Sequence, residues 1–245
     1  MHPILTAKNL SRHFNSLKAV DGIGFSVAKG ECFGFLGPNG AGKTTTIKMI
    51  YGVLPPSGGE LHIFDLPVQE RLREIKRRLG VVMQKDILEE TVSAWDNMLM
   101  QGRYYGFDKK YIHERGKYLL EMLALLDRAD EPVFHYSGGM KRRLSIAKGL
   151  LNEPELLLLD EPTTGLDPQA RHLLWAKLGE IKKKGTSILL TTHYMHEAEF
   201  LCDRLVVIDH GKIIAEGTPK GLVEKYGCKN LEEVFLELTG RDLRE

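Results

Sequence analysis

Short apolar runs separated by polar turns fill the first quarter of the chain. Residues 4–10, 17–27 and 31–36 are rich in β-branched and aromatic side chains, which predicts three strands. A helix is predicted over 42–51, and a further short strand over 59–64. This region is therefore expected to be mainly β-structure with one early helix.

The pattern changes in the middle of the chain. Residues 70–78 are charged and have helical spacing, whereas GVVMQ at 80–84 is typical of a buried strand. From about residue 91 to residue 151, apolar side chains recur every three or four positions without a convincing strand. We expect that section to be a helical insert of two or three helices.

Strands and helices alternate again in the second half. Apolar runs at 155–160 and 186–192 predict two buried strands, with a helix over 167–184 between them. A short helix, a hairpin at 204–217 and two helical segments after Pro219 complete the pattern. Strands that alternate with helices favour an α/β fold with a mainly parallel sheet covered on both faces.

Composition and charge exclude several classes of protein. Of 245 residues, 42% are hydrophobic and 27% are charged, as in an ordinary globular protein. A net charge of +1 gives no electrostatic reason to expect nucleic acid as a partner. No apolar run approaches the roughly 18 residues of a membrane span, and the N-terminus lacks a signal-peptide pattern. Cys32, Cys202 and Cys228 are far apart, so we expect a reduced, cytoplasmic protein.

The segment GPNGAGKT at 37–44 fits the phosphate-binding pattern G-x-x-x-x-G-K-[ST]. Glycines let backbone amides approach phosphates closely, and the helix that starts near Gly42 adds its positive end. Lys43 would reach the β- and γ-phosphates, and the Thr44 hydroxyl would bind Mg²⁺. The predicted nucleotide-binding residues of this loop are Gly37, Pro38, Asn39, Gly40, Ala41, Gly42, Lys43, Thr44 and Thr45.

A second motif, ELLLLDEP at 155–162, places two acids after four leucines. Such a run suits a central parallel strand, and ligands bind at the carboxyl ends of these strands. Asp160 is predicted to hold Mg²⁺, and Glu161 to polarise a water that attacks the γ-phosphate. Two acids at the end of a strand are often simply exposed to solvent and have no function. A phosphate-binding motif in the same chain favours the functional interpretation here.

These two motifs, together with five further features, resemble those of the ATP-binding subunit of an ABC transporter over nearly the whole chain. SGGMKRR resembles the signature of that family, and GLDP at 165–168 resembles its D-loop. Gln84 in VVMQKD matches the glutamine of the Q-loop, and His193 in TTHYMHEAE matches the histidine of the H-loop. Phe14 lies where the family stacks an aromatic ring on adenine.

The resemblance implies a fold and a domain organisation. It implies a P-loop NTPase (RecA-like) core with a mainly parallel sheet, an N-terminal antiparallel β part and a helical insert. The ATP-binding core would comprise 1–90 and 152–245, and residues 91–151 would form the helical subdomain that carries the signature. Together they would make one ABC ATPase domain.

The resemblance also implies roles for individual residues. Glu161 and His193 would be catalytic, with His193 contacting the γ-phosphate. Thr44, Gln84 and Asp160 would contact Mg²⁺. In the family, two subunits pack head to tail and each signature caps the ATP bound by the other subunit. The residues expected to contact the partner's nucleotide are Ser137, Gly138, Gly139 and Asp167.

Two residues depart from the family pattern, and several interpretations stay open. The stacking residue is usually Tyr rather than Phe14, and the residue before Ser137 is usually Leu, whereas this chain has Tyr136. Phe14 also suits a place in the β core, since aromatic residues in such regions more often pack there. The basic residues at 141–143 are interpreted as a solvated helix face.

The resemblance implies two partners: a separate membrane permease and a second ATPase subunit, either identical or related. The protein is therefore expected at the cytoplasmic face of the membrane. The expected ligands are ATP and Mg²⁺. Motifs of the second half resemble those of drug and lipo-oligosaccharide exporters. A soluble ABC ATPase that acts on ribosomes or DNA is the alternative.

Five residues of the insert would form either a groove for the permease or the insert's own core. They are Trp95, Met98, Leu99, Met100 and Tyr104.

Overall fold

A computed structural model describes residues 3–240, which form two β-sheets flanked by helices. The strands are β1 (Pro3–Phe14), β2 (Leu17–Ala28), β3 (Cys32–Leu36), β4 (Gly58–Ile63), β5 (Leu66–Pro67), β6 (Leu79–Val82), β7 (Leu156–Asp160), β8 (Ser187–Thr192), β9 (Arg204–Asp209) and β10 (Lys212–Gly217). The α-helices are α1 (Lys43–Ile50), α2 (Val68–Arg77), α3 (Ala94–Tyr105), α4 (Lys109–Met122), α5 (Gly138–Gly149), α6 (Pro168–Lys183), α7 (Met195–Leu201), α8 (Pro219–Tyr226) and α9 (Leu231–Thr239). Two short 3-10 helices, Leu126–Arg128 and Val133–His135, lie between α4 and α5.

The larger sheet has the strand order β10-β9-β3-β8-β7-β6. Its pairings are parallel except for the hairpin of β9 and β10. Every residue of β3, β7 and β8 is buried, because these strands lie between neighbours and carry side chains into apolar layers on both faces. The mainly parallel sheet and the hairpin predicted from the apolar pattern are confirmed.

The smaller sheet is antiparallel, with the order β2-β1-β4-β5. Its inner face packs on the larger sheet through aromatic residues, since Phe25 contacts Phe33 and Phe35 with ring centroids 5.8 and 4.9 Å apart. The antiparallel part is therefore confirmed. The short strand β5 was not predicted, because two residues are too few to produce a recognisable alternation.

Three α-helices occupy the central section, as expected. Ser93 caps α3 and exchanges hydrogen bonds with Asp96, which satisfies the free amides at the helix start. Buried side chains of α3, α4 and α5 belong to one apolar cluster that also includes residues of β3, β7 and β8. The division into a core and a subdomain over 91–151 stays a prediction, because the two parts share this cluster.

Strand β6 ends at Val82, two residues earlier than the predicted strand at 80–84. The chain leaves the sheet at Met83, which brings Gln84 towards the carboxyl ends of the parallel strands. Within residues 3–240, none of the helices has the length and apolar character needed to cross a membrane.

Candidate nucleotide-binding and hydrolytic site

A cavity of about 630 Å³ opens above the carboxyl ends of the parallel strands. It is lined by Phe14, Leu17, Lys18, Ala19, Asn39, Gly40, Gly42, Lys43, Thr44, Thr45, Gln84, Glu161, His210 and Gly211. The cavity thus brings together predicted site residues from four distant parts of the sequence: Phe14, the loop at 37–45, Gln84 and Glu161. Gly37, Pro38 and Ala41 complete the loop without lining the cavity, and Asp160 and His193 contact residues that do line it.

Two segments that sequence reasoning did not assign to the site also line this cavity. The start of β2 contributes Leu17, and the turn of the β9–β10 hairpin contributes Gly211. The hairpin turn is attached to the phosphate-binding loop by a hydrogen bond of 3.0 Å from the Gly211 amide to the Ala41 carbonyl. The sequence DHG between two apolar runs signals the hairpin, but contains no signal for this long-range contact.

The glycines of the loop are required by its backbone. Gly42 has a φ of 108°, and a Cβ there would lie 2.5 Å from the Ala19 carbonyl oxygen. A Cβ at Gly37 would lie 2.3 Å from the carbonyl oxygen of Ile208. Both contacts are with backbone atoms that cannot move aside, so the loop keeps its shape only with glycine at these positions.

Lys43 is the first residue of α1, and its side chain is only 4% exposed. Its ammonium group donates hydrogen bonds to the carbonyls of Gly37 at 2.7 Å and Pro38 at 3.0 Å. It also lies 3.4 Å from Glu161 Oε1. Burial lowers the pKa of Lys43, and the charge of Glu161 opposes that effect. The cation is therefore held at the place where the motif predicts phosphate.

Asp160 ends β7 and points its carboxylate at the same loop. Oδ1 accepts hydrogen bonds from the Thr191 hydroxyl at 2.6 Å and from the Thr44 hydroxyl at 3.1 Å. Oδ2 is buried and has no hydrogen-bond partner within the described residues 3–240. A buried carboxylate oxygen without a partner beside a threonine hydroxyl fits a hard divalent cation such as Mg²⁺.

Glu161 has a left-handed backbone, with a φ of 47°. Its amide donates to the Thr191 carbonyl and hydroxyl, both at 3.1 Å. Such a conformation is costly for a residue with a Cβ and persists only where neighbouring contacts impose it. It turns the carboxylate away from the strand and towards Lys43.

The Glu161 carboxylate contacts polar groups from four segments of the chain. Oε2 accepts hydrogen bonds of 3.1 Å from Gln84 Nε2 and from the Thr164 hydroxyl. His193 Nδ1 lies 3.4 Å from the same oxygen. The contact with His193 and the charge of Lys43 lower the pKa of Glu161 to about 2, although burial acts in the opposite direction. Glu161 is thus fully ionised at neutral pH, and it meets the predicted residues Gln84 and His193.

The predicted adenine contact, Phe14, lines the outer part of the cavity and is 41% exposed. The Arg12 guanidinium lies 4.7 Å from its ring centroid. The ring is therefore not packed in the β core, which was the competing interpretation. Its stacking on adenine stays a prediction.

The residues expected to contact a partner's nucleotide lie elsewhere. Ser137 caps α5, and Asp167 caps α6 by accepting a 2.8 Å hydrogen bond from the Ala170 amide. Ser137, Gly138 and Asp167 are exposed. The two helix starts are adjacent, because a Cβ on Gly139 would lie 2.9 Å from Ala170 Cβ. None of these residues lines the cavity around Lys43.

Tyr136, which the sequence left unexplained, is buried in the core beneath the signature. Its hydroxyl donates a 2.7 Å hydrogen bond to the Arg128 carbonyl. The ring fills the apolar position of the usual leucine, and the hydroxyl satisfies a backbone acceptor in the turn after α4. Burial raises the pKa of Tyr136, so the hydroxyl stays a donor at neutral pH.

We expect Tyr136→Phe to lower the free energy of unfolding by about 1 kcal/mol, the usual contribution of one hydrogen bond. ATP turnover should change by less than about twofold, because the hydroxyl faces away from the cavity. Urea denaturation and phosphate release measure the two effects. Tyr104→Phe is the control, since Tyr104 is 85% exposed. Equal stability of both variants would contradict the structural role of the Tyr136 hydroxyl.

Comparisons with known proteins agree with this geometry. The profile of the ABC transporter family matches residues 20–164. A protein of Burkholderia lata named "Nod factor export ATP-binding protein I" is 49% identical over 226 residues, which are 92% of this chain and 74% of that protein. A protein of the same name from Rhizobium sp. (strain N33) is 47% identical over 91% of this chain and 74% of its own length.

Solved structures show the same fold. A structure described as the ATP binding subunit of an ABC transporter superposes with a TM-score of 0.85 and 32% identity, covering 96% of this chain and 99% of that one. The structure of cbiO1 from Clostridium perfringens, part of the ABC transporter complex cbiONQ, has a TM-score of 0.85 and 27% identity, covering 98% and 97% of the two chains. The chain therefore belongs to the ABC transporter family and is an ATP-binding subunit that hydrolyses ATP.

Proposed function

We propose that this ATPase powers an exporter and that its hydrolytic site is built around Glu161. The observation that carries the proposal is the meeting of Lys43, Gln84 and His193 on one ionised carboxylate beside a phosphate-binding loop. The direction of transport is supported by the relatives, whose names describe export. Export by this chain is thus a proposal that rests on those relatives.

In the proposed site the loop amides and Lys43 bind the phosphates of ATP. The β- and γ-phosphates would compete with Glu161 for Lys43, since both are anions within reach of one ammonium group. Loss of that contact removes one cause of the low pKa of Glu161. Glu161 would then be a better acceptor for the proton of the attacking water, which it orients together with Gln84. His193 would contact the γ-phosphate.

Mg²⁺ fits the residues that are present. Asp160 and Thr44 would hold it, and the Gln84 side chain would contact it from the adjoining loop. The ion supplies charge neutralisation for the phosphate oxygens when it is bound. Asp160 keeps its orientation through the Thr191 hydroxyl, which occupies Oδ1 and leaves Oδ2 for the cation.

The working form is proposed to be a head-to-tail dimer, with an identical or related subunit. Ser137, Gly138 and Gly139 start a 12-residue helix at an exposed surface, where its positive end is available to an anion. Because this helix start does not line its own subunit's cavity, it would meet the ATP of the second subunit. Asp167 lies beside it at the same surface.

A membrane permease is the second proposed partner. A groove of about 680 Å³ lies between α2, β6 and α3, and it is lined by Leu72, Arg73, Lys76, Arg77, Leu79, Val81, Tyr104 and Tyr105. Met98 is fully buried in the helical core, so the core interpretation holds for it. Tyr104 is 85% exposed at the rim of the groove and suits contact with a permease. The subunit would thereby sit at the cytoplasmic face of the membrane.

We expect Tyr104→Glu to abolish permease binding while ATP binding by the subunit alone persists. The parent chain, captured from detergent-solubilised membranes, should retain a multi-span protein, and adding that protein back should stimulate phosphate release. Phe200→Glu is the control, because Phe200 is 61% exposed on α7, outside the groove. Retention of ribosomes or DNA in place of a multi-span protein would contradict the transport function.

A further inference from the structure

Arg142 lies on α5, five residues after the helix cap Ser137, and only 4% of it is exposed. The sequence interpretation of residues 141–143 as a solvated face is therefore wrong for this residue. The helix turns Arg142 inward, towards the ends of β6 and β7. A buried guanidinium is costly unless its donors are satisfied, so its partners are informative.

The guanidinium binds backbone carbonyls that flank the hydrolytic carboxylate. Nε donates to the Pro162 carbonyl at 2.8 Å. Nη2 donates to the carbonyls of Asp160 at 2.8 Å and Glu161 at 3.2 Å. Three consecutive residues, including both predicted acids, are thus attached to one side chain. The fixed planar fork of arginine suits such a cluster of acceptors, which lysine could not match.

The remaining guanidinium nitrogen, Nη1, binds the loop that contains Gln84. Nη1 donates to the Met83 carbonyl and, at 3.1 Å, to Asp86 Oδ1. Gln84 lies between these two residues and itself donates to Glu161 Oε2. Arg142 therefore anchors the backbone on both sides of the Gln84–Glu161 contact.

These bonds act on the strained residue of the site. Glu161 has a left-handed φ of 47°, its amide is held by Thr191, and its carbonyl is held by Arg142. Fixing both peptide groups determines where the carboxylate points. A change in the position of α5 would therefore change the orientation of Glu161.

We propose that Arg142 is a positioning residue that fixes Glu161 and the Gln84 loop, and so couples the signature helix α5 to the hydrolytic site of its own subunit. The fixing of Glu161 rests on the contacts of one chain. The coupling rests on the proposed function, in which the start of α5 contacts the partner's ATP. ATP bound at one composite site would then influence hydrolysis at the other.

The test compares Arg142→Lys with Arg143→Lys. Arg143 is the next residue on the same helix. It donates to the carbonyls of Leu123 and Ala124 and, at 3.4 Å, to that of Gly139, and none of these bonds is made to Glu161 or the Gln84 loop. We expect Arg142→Lys to lower kcat for ATP about tenfold, with KM within about threefold of the parent, because phosphate binding by Lys43 is untouched. Arg143→Lys should leave kcat within about twofold of the parent value, and both variants should unfold at similar thermal midpoints.

A second comparison separates positioning from general destabilisation. In a Glu161→Gln background, Arg142→Lys should cause a much smaller loss in single-turnover hydrolysis than in the parent, because its main effect acts through the Glu161 carboxylate. An equal loss in both backgrounds, or equal kcat for the Arg142 and Arg143 variants, would overturn the positioning role.

The coupling has its own readout, the Hill coefficient of ATP turnover. We expect a value above 1 in the parent and close to 1 in Arg142→Lys. An unchanged coefficient would overturn the coupling. The proposed dimer is tested independently by ATP-dependent dimerisation of Glu161→Gln with Arg142 intact, so failure of the dimer and failure of the Arg142 role are distinguishable.

Discussion

Glu161→Gln is expected to lower ATP turnover by about 100-fold or more, the usual contribution of a general base. The amide keeps the size of the side chain and can still accept from Thr164, but it carries no charge to attract a proton. ATP binding should persist, because Lys43 and the glycine loop are unchanged. With hydrolysis blocked, the ATP-bound subunits should accumulate as a dimer. Phosphate release and light scattering at saturating Mg-ATP measure the two effects.

Glu180→Gln provides the matched control for this result. Glu180 is an exposed carboxylate on α6 that pairs with Lys177. Removing that charge should leave turnover and dimerisation unchanged, since surface pairs contribute little. A Glu161→Gln variant with turnover within tenfold of the parent would remove Glu161 from the reaction. A persistent monomer at saturating Mg-ATP would count against ATP-driven dimerisation.

Mixing two inactive variants is expected to restore nucleotide-dependent association and turnover. Lys43→Ala removes the cation that is proposed to bind the phosphates, and Ser137→Arg blocks the exposed start of α5. Each variant alone should turn over ATP about 100-fold more slowly than the parent. In a mixed dimer, the intact loop of the Ser137→Arg subunit meets the intact signature of the Lys43→Ala subunit. One composite site is therefore complete, and activity should rise well above that of either variant.

The control mixture combines Lys43→Ala with the double variant Lys43→Ala/Ser137→Arg. No pairing of those subunits contains an intact loop, so this mixture should stay inactive. If the two single variants also stay inactive together, sites shared between subunits are contradicted. Size-exclusion chromatography with ATP, run on each mixture, shows whether the subunits associate at all.

Much of the fold was predictable because local sequence patterns determine its strands and helices. The four leucines before Asp160 identified β7, and the alternation of strands and helices identified the parallel sheet. The glycine loop at 37–44 was predictable because its glycines stand at a fixed spacing, and the backbone of the structure requires glycine at Gly37 and Gly42. Phosphate binding by this loop stays a prediction. The basic residues at 141–143 were predicted to lie on a helix, and they do lie on α5, which Ser137 caps.

Contacts between distant segments were not predictable in the same way. Arg142 belongs to a run of three basic residues that the sequence alone could not tell apart, yet it binds residues 18 to 59 positions away. Tyr136 departs from the family pattern, and its hydroxyl is explained only by the carbonyl of Arg128. Gly211 joins the cavity because the hairpin turn packs on the loop at Ala41.

The sequence by itself determined the elements and the chemical groups of this protein, because periodicity, caps and glycine spacing depend on near neighbours along the chain. Only the tertiary structure decided how those groups meet. The packing of α5 on the sheet buries Arg142, and the left-handed turn at Glu161 directs its carboxylate to Lys43, Gln84 and His193. Both depend on contacts across the fold, which no local pattern encodes.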